Sequence, residues 1–302
     1  MEGQLVIVGA GALGCLFASR LSAAGTRLTI LDTWAEGVQA IRQHGIRVSA
    51  GEHSQVYPAA ATTRPEEIQD ARWGLVLVKS WQTQAAAGLL QACLRPHSRV
   101  LTLQNGLGND TLLAQSLPGH TVRAGMCSLG ATLLSPGHIR FGGEGDVLVD
   151  DSDWAELLQG AGLSARCTPE LESYRWAKLI ANAAINPVTA LLGITNGQLA
   201  ESAYAWQVAR RAAEEAAQVA YALGVRLPFE HPEEYVRNIA QRTAANRSSM
   251  LQDVQRGAPT EIDAITRAVL HLGLQHNVPV PTHQTLYELI QAVVASHRDD
   301  RG

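Results

Sequence analysis

The chain has 302 residues, of which 46% are hydrophobic and only 17% charged, with a formal net charge of −4. That is enough chain for two well-buried domains, and the slight acidity without any Lys/Arg run argues against nucleic acid as the main partner. Four widely spaced cysteines (Cys15, Cys93, Cys127, Cys167) without CxxC spacing suggest reduced intracellular thiols, and ten scattered histidines without an HExxH pattern suggest no metal.

The apolar N-terminus lacks the basic region of a signal peptide and is broken by glycines. Nothing along the chain spans a membrane, so a cytoplasmic protein is expected. Leu5-Val6-Ile7-Val8 reads as a buried strand of a parallel sheet. It leads directly into Gly9-Ala10-Gly11-Ala12-Leu13-Gly14, then a helix from about Ala12 to Ala24 that Gly25 can cap. A second strand, Arg27 to Leu31, ends at Asp32, 18 residues after Gly14. A GxGxxG between strand and helix, followed at that distance by an acid, is a dinucleotide-binding fingerprint. Gly9 permits the tight turn, Gly11 lets the pyrophosphate approach the backbone, and Gly14 lets helix pack on strand. The helix N-terminus offers N–H groups and a positive dipole end to the phosphates. Asp32 can accept from the ribose hydroxyls of NADH but repels the 2′-phosphate of NADPH; its plainer reading is a turn cap.

Strands follow at Gly74 to Val78 and Ser98 to Gln104. They place Lys79 and Asn105 at carboxyl ends, where open α/β sheets bind ligands. Asn105 beside Gly106 reads equally well as a turn residue. Glycine-rich apolar runs, Arg123 to Leu134 and Ile139 to Val149, read as strands completing the sheet. A helix near Trp154 to Ala161 and a last strand near Cys167 close the domain. The expected class is α/β: a Rossmann-type dinucleotide-binding domain over residues 1–167 and an all-α domain over 168–302.

In the second half, Tyr174 to Pro187 has helical periodicity, and Lys178, Asn182 and Asn186 recur every four residues as one drifting polar stripe. Pro187 should end or kink that helix. A solvated face is the ordinary explanation, but such faces are long and charged, whereas this one is an amine and two short amides. Composition sharpens the contrast. Of 24 cationic residues, 22 are Arg, and the two lysines are Lys79 and Lys178. An ammonium can give up its proton and a guanidinium effectively cannot, which makes Lys178 a candidate proton donor. Ala203 to Leu223 is amphipathic, with Arg210, Arg211, Glu214 and Glu215 read as its solvated face. Two further polar clusters stand in apolar surroundings: Thr243 to Asp253 and Thr260-Glu261-Ile262-Asp263. The second also has the composition of a helix start.

Taken in order, these motifs resemble the ketopantoate reductase family over nearly the whole chain. They are GAGALG (Gly9 to Gly14), KSWQ (Lys79 to Gln82), QNGLG (Gln104 to Gly108) and WAKLIANAAINPVTAL (Trp176 to Leu191). Asn196-Gly197, SSMLQD (Ser248 to Asp253) and TEID (Thr260 to Asp263) complete the set. The resemblance implies a Rossmann domain, a helical domain and a substrate cleft between them. It implies that NADPH reduces the ketone of 2-dehydropantoate to (R)-pantoate, a precursor of pantothenate and coenzyme A. By the same resemblance Lys178 is the proton donor, and Asn182, Asn186, Asn196 and Ser249 bind substrate. Asn105 stands between cofactor and substrate. Lys79, Ala131 and Glu261 match cofactor-contacting positions, with Glu261 also serving catalysis.

One departure concerns the cofactor. Many members carry an Arg at the end of the second strand for the 2′-phosphate, and Thr33 takes that place here, beside Asp32. NADH is therefore expected to serve at least as well as NADPH, unless Arg42 or Arg47 reaches in. A dehydrogenase for another small 2-keto or hydroxy acid is an alternative. A non-catalytic nucleotide sensor is a more remote one, since it has no need of Lys178 and Glu261 together. The implied partner is a small-molecule 2-keto acid, with no nucleic acid and no membrane; monomer and homodimer are both left open.

Overall fold

The computed structural model describes residues 3–299 and divides into two compact units. The first takes the chain up to Gln104 and then Asn109–Leu171; the second takes Asn105–Gly108 and the chain from Glu172 onward.

The first unit is built on twelve strands: β1 (Gln4–Val8), β2 (Leu28–Leu31), β3 (Ile46–Ala50), β4 (His53–Tyr57), β5 (Ala60–Thr62), β6 (Ala71–Val76), β7 (Leu94–Thr102), β8 (Thr121–Cys127), β9 (Gly130–Ser135), β10 (His138–Gly143), β11 (Val147–Val149) and β12 (Ala165–Cys167). Eight of them form one sheet in the order β12-β11-β8-β7-β6-β1-β2-β5. From β5 to β8 all neighbours are parallel, and β11 alone runs antiparallel to its neighbour β8. The apolar run of β1 follows from this position. Leu5 and Ile7 join one core layer while Val6 and Val8 join another, so both faces of the strand are covered. β1 is followed in sequence by β2 on one side, and β6 lies on the other. The strand order thus reverses beside the C-terminal end of β1, the place where such sheets take ligands.

The glycine-rich runs do not all complete this sheet. β8 and β11 do, but β9 and β10 join β3 and β4 in a separate sheet of order β4-β3-β10-β9. Ser128 N–H bonds to Asp146 O at 2.9 Å, continuing the β8–β11 pairing and turning β9 and β10 out as a hairpin. The helix Ala12–Ala23 packs against strands of both sheets, which is why Cys15, Leu16, Phe17 and Ala18 have no exposed surface.

The second unit is helical, with helices Leu171–Leu192, Asn196–Glu201, Ala203–Ala222, Pro232–Arg242, Ser249–Gln255, Ala268–Gln275 and Pro281–Asp299. Trp176, Ile180, Ala183 and Ala184 share its core with Ala209, Ala212, Ala213, Ala216 and Ala220. Small side chains along Ala203–Ala222 let neighbouring helices approach closely at little entropic cost.

Two sequence expectations are corrected here. Of the two outcomes expected at Pro187, an end or a kink, the end does not occur: the helix continues to Leu192, and just past the proline the Thr189 hydroxyl bonds back to Ile185 O at 2.9 Å. Glu215 is not on a solvated face. Its side chain is 12% exposed, and its carboxylate accepts from Thr282 N at 2.9 Å, His283 N at 3.1 Å and His283 Nδ1 at 2.9 Å. The helix Pro281–Asp299 is thus capped by a carboxylate from a neighbouring helix, which satisfies N–H groups that have no partner within it. Among the described residues no helix is long and apolar enough to cross a membrane.

Candidate active site

In the first unit the glycine turn is shaped by close approaches. Gly9 has φ +123°, and a β-carbon there would stand 3.0 Å from Leu77 C and Val78 N on the neighbouring strand end. A β-carbon on Gly14 would lie 1.8 Å from Gly9 O, so the helix can pack on the turn only without one. Gly11 differs: a β-carbon there would meet nothing within 4 Å. Bare backbone therefore borders open space at the start of the helix Ala12–Ala23, whose first turn has no side-chain cap. Free N–H groups, a positive dipole end and room for a bulky anion are what a pyrophosphate needs, so these residues fit a dinucleotide.

Asp32 is buried at the end of β2 and is held by backbone on both oxygens. Oδ2 accepts Ala10 N–H at 2.5 Å and Oδ1 accepts Trp34 N–H at 2.9 Å. Beneath it, burial pushes the Cys15 thiol up to about 12, with the Asp32 carboxylate adding to the effect. Cys15 is therefore a packing residue, its thiol directed to Ala10 O at 3.3 Å.

Lys79 follows β6, at the start of the short turn Ser80–Gln82, and is half-buried. Around it lies a polar lattice that sequence reasoning missed. Gln104 donates from Nε2 to Val78 O at 3.0 Å and to Thr83 Oγ1 at 2.9 Å, and Thr83 donates to Asn109 Oδ1 at 3.0 Å. These bonds tie the ends of β6 and β7 together. Gln104 opens the QNGLG motif and could have been singled out with it. Ala131 lies on β9, opposite Phe141, in the small sheet beside the helix that starts at Ala12.

In the helical unit Lys178, Asn182 and Asn186 all lie on Leu171–Leu192, with Lys178 and Asn182 half-buried and Asn186 buried. A bond network links the backbone carbonyl of the stripe's last residue, Asn186, to the other polar clusters. Thr189 Oγ1 donates to Asn186 O at 3.1 Å and lies 2.7 Å from Ser248 Oγ. Ser248 caps the helix Ser249–Gln255 by accepting from Leu251 N at 3.1 Å, which places Ser249, itself exposed, at the first position. Asn196 reaches the same segment from another side. Its N–H bonds to Asn246 O at 3.0 Å, and Nδ2 donates to Thr243 Oγ1 at 2.8 Å. The structure thus gathers Asn186, Asn196 and the 243–249 segment. Thr189, Thr243 and Ser248 are the linking residues, visible in sequence only as members of polar motifs.

Glu261 is buried, and Asn105 Nδ2 donates to its Oε2 at 3.1 Å. Asn105 and Glu261 are 156 positions apart, and nothing in their local sequences predicts the pairing. The described residues contain no group of three or more His, Cys, Asp or Glu placed to hold a metal ion. Two apolar grooves of the helical unit, of about 620 and 780 Å³, are lined by none of these site residues.

Comparison with known proteins gives consistent results. The family model described as ketopantoate reductase PanE/ApbA matches residues 5–154, and its C-terminal counterpart matches 170–294. The 2-dehydropantoate 2-reductase of Archaeoglobus fulgidus is 35% identical over 299 residues, covering 96% of this chain and 97% of the relative. The crystal structure of a PanE/ApbA family ketopantoate reductase from Ralstonia eutropha JMP134 superposes with a TM-score of 0.91 at 30% identity, covering 98% of this chain and 99% of that one. A D-mandelate dehydrogenase solved with NADH and anilino(oxo)acetate has a TM-score of 0.89 over 98% of this chain and 99% of its own; at 24% identity that likeness is one of fold.

Proposed function

This chain belongs to the ketopantoate reductase family, and we propose that it uses a nicotinamide dinucleotide to reduce 2-dehydropantoate to (R)-pantoate. It is an oxidoreductase, and relatives up to 35% identical carry the name 2-dehydropantoate 2-reductase. The observation that carries the reading is the stripe on Leu171–Leu192: one of only two lysines in the chain, in line with Asn182 and Asn186.

The residues divide by unit. Gly9 to Gly14, Asp32, Lys79 and Ala131, all in the sheet unit, bind the cofactor; Lys178, Asn182, Asn186, Asn196 and Ser249, in the helical unit, bind the keto acid. Asn105 and Glu261, bonded to one another, serve both. When bound, the nicotinamide supplies the hydride. Negative charge then builds on the ketone oxygen, and Lys178 stabilises it electrostatically and delivers the proton. Asn182 and Asn186 hold the hydroxyl and carboxylate ends of a small polar acid, which keeps the ketone carbon in a reactive pose. Asp32, fixed on both oxygens by backbone N–H groups, favours the two free ribose hydroxyls of NADH over a 2′-phosphate. None of the four cysteines is joined in a disulfide, which fits a cytoplasmic location.

The test is a spectrophotometric assay of 2-dehydropantoate against a panel of other 2-keto acids, each with NADH and with NADPH. Turnover of 2-dehydropantoate at a kcat/KM well above the rest of the panel is the expected result. A higher value for any other acid would replace the substrate while leaving the reaction class standing.

A further inference from the structure

The segment Asn105–Gly108 is the one stretch that leaves the sheet unit to cluster with the helical unit before the chain returns at Asn109. Three close approaches hold it there. Asn105 Nδ2 donates to Glu261 Oε2 at 3.1 Å, and Leu107 N–H donates to Ala264 O at 2.9 Å. Between them sits Gly106, at φ +84°. A β-carbon on Gly106 would stand 2.2 Å from Ala264 O, 2.6 Å from Ala264 C and 2.7 Å from Ala264 Cβ.

The surface that receives the loop is itself irregular. Asp263–Arg267 forms a π-helical turn that begins two positions after Glu261, with Ile262 between. Such a turn carries one residue more than an α-helical one, and one residue is about 100° of rotation. It therefore sets which direction Ala264 and Glu261 face relative to the helix that follows.

We infer that Gly106 and Ala264 are a positioning pair for the Asn105–Glu261 contact. The missing side chain at 106 lets loop backbone close on Ala264, and that closure brings the Asn105 amide against the carboxylate. The distances define how little slack exists. A β-carbon at 2.2 Å needs to retreat by about 1 Å to reach an ordinary contact. A comparable retreat by Asn105 would carry its 3.1 Å bond beyond hydrogen-bonding range. Backbone at φ +84° adds a second penalty for any residue but glycine. Neither member of the pair touches reacting atoms; both act through Asn105. The inference rests on the reading of Asn105 and Glu261 as site residues of a keto-acid reductase.

A double-mutant cycle tests it. Steady-state kinetics with 2-dehydropantoate are measured for wild type, Asn105→Ala, Gly106→Ala and the double variant. Each single change is expected to lower kcat/KM by about ten- to a hundredfold, the worth of one hydrogen bond to a charged group. The double variant should lose no more than the worse single. Wild-type turnover by Gly106→Ala, or losses that multiply in the double variant, would overturn the inference. Should Gly106→Ala fail to fold, Ala264→Val adds bulk from the opposite wall of the same contact and enters the same cycle under the same criteria. Wild type that leaves 2-dehydropantoate unreduced would instead refute the substrate, and the cycle would be run on the keto acid it does reduce.

Discussion

Asp32 accepts the backbone N–H of Ala10 at 2.5 Å, which joins the end of β2 to the second residue of the glycine turn. With Trp34 N–H on its other oxygen, the carboxylate cannot swing aside to admit a 2′-phosphate. At an effective dielectric of about 20, a close like-charge contact costs a few kcal/mol. NADH should therefore be used at least as well as NADPH. Asp32→Asn, which removes the charge and keeps one acceptor, should move the kcat/KM ratio at least tenfold toward NADPH. A wild-type preference of more than tenfold for NADPH refutes this reading.

The glycines of the turn should respond differently to the same small change. Gly11→Ala adds a methyl group to open space, so the melting temperature should hold while cofactor affinity falls by an order of magnitude or more. Gly14→Ala places a β-carbon 1.8 Å from Gly9 O and should destabilise the unit by roughly 3 kcal/mol or more. Thermal melts and nicotinamide fluorescence titrations separate the two outcomes. Equal melting temperatures for both variants would contradict the packing geometry.

Lys178→Ala should lower kcat by about 10²–10⁴-fold and leave cofactor affinity nearly unchanged. Lys178→Arg should fail almost as badly, because arginine keeps the charge but cannot give up the proton. Near-wild-type turnover by the arginine variant would remove Lys178 from the proton-donor role.

Asn182→Ala and Asn186→Ala should act mainly on KM for the keto acid. Thr243→Val should raise KM in the same sense as Asn196→Ala, since Thr243 Oγ1 is the partner that orients the Asn196 amide. Unchanged KM in all of these variants would return the stripe and its network to a purely architectural role.

Glu215, whose partners Thr282 and His283 are not among the proposed site residues, provides a pH signature of its own. Burial opposes its ionisation, but hydrogen bonds from His283 and Thr282 outweigh burial and hold its pKa below the ordinary value of 4.5. A carboxylate with a lowered folded pKa contributes stability above its unfolded pKa and loses it as pH falls through the folded value. Glu215→Gln should therefore cost roughly 1–2 kcal/mol at neutral pH. The gap to wild type should narrow as pH falls below 4.5. A gap independent of pH would mean that the charge is not what matters there.

Much of this was legible in the sequence because its signals are local. The apolar run of β1, the glycine turn and the acid ending β2 are short-range patterns, and so is the Lys178–Asn182–Asn186 stripe. What was missed depends on partners distant in sequence. β3 and β4 are largely exposed and lack the apolar alternation that marks a strand, so the small sheet could not be foreseen. Glycine-rich runs signal strands without saying which sheet they join. Glu215 falls among charged neighbours on an amphipathic helix, and only its tertiary partners turn it into a buried cap. Pro187 fails as a helix stop because surrounding packing outweighs local preference.

The excursion of Asn105–Gly108 also bears on how this protein can be dissected. A cut near residue 171 looks natural, since the sheet unit ends there and the helices begin. Yet a fragment starting at Glu172 would lack Leu107, whose N–H serves Ala264 O, and Asn105, whose amide serves Glu261. The complementary fragment would carry a loop shaped for a surface it no longer meets. Separately expressed halves are therefore poor stand-ins for the whole chain. Engineers who wish to graft new substrate specificity should exchange the QNGLG loop and the helical unit together.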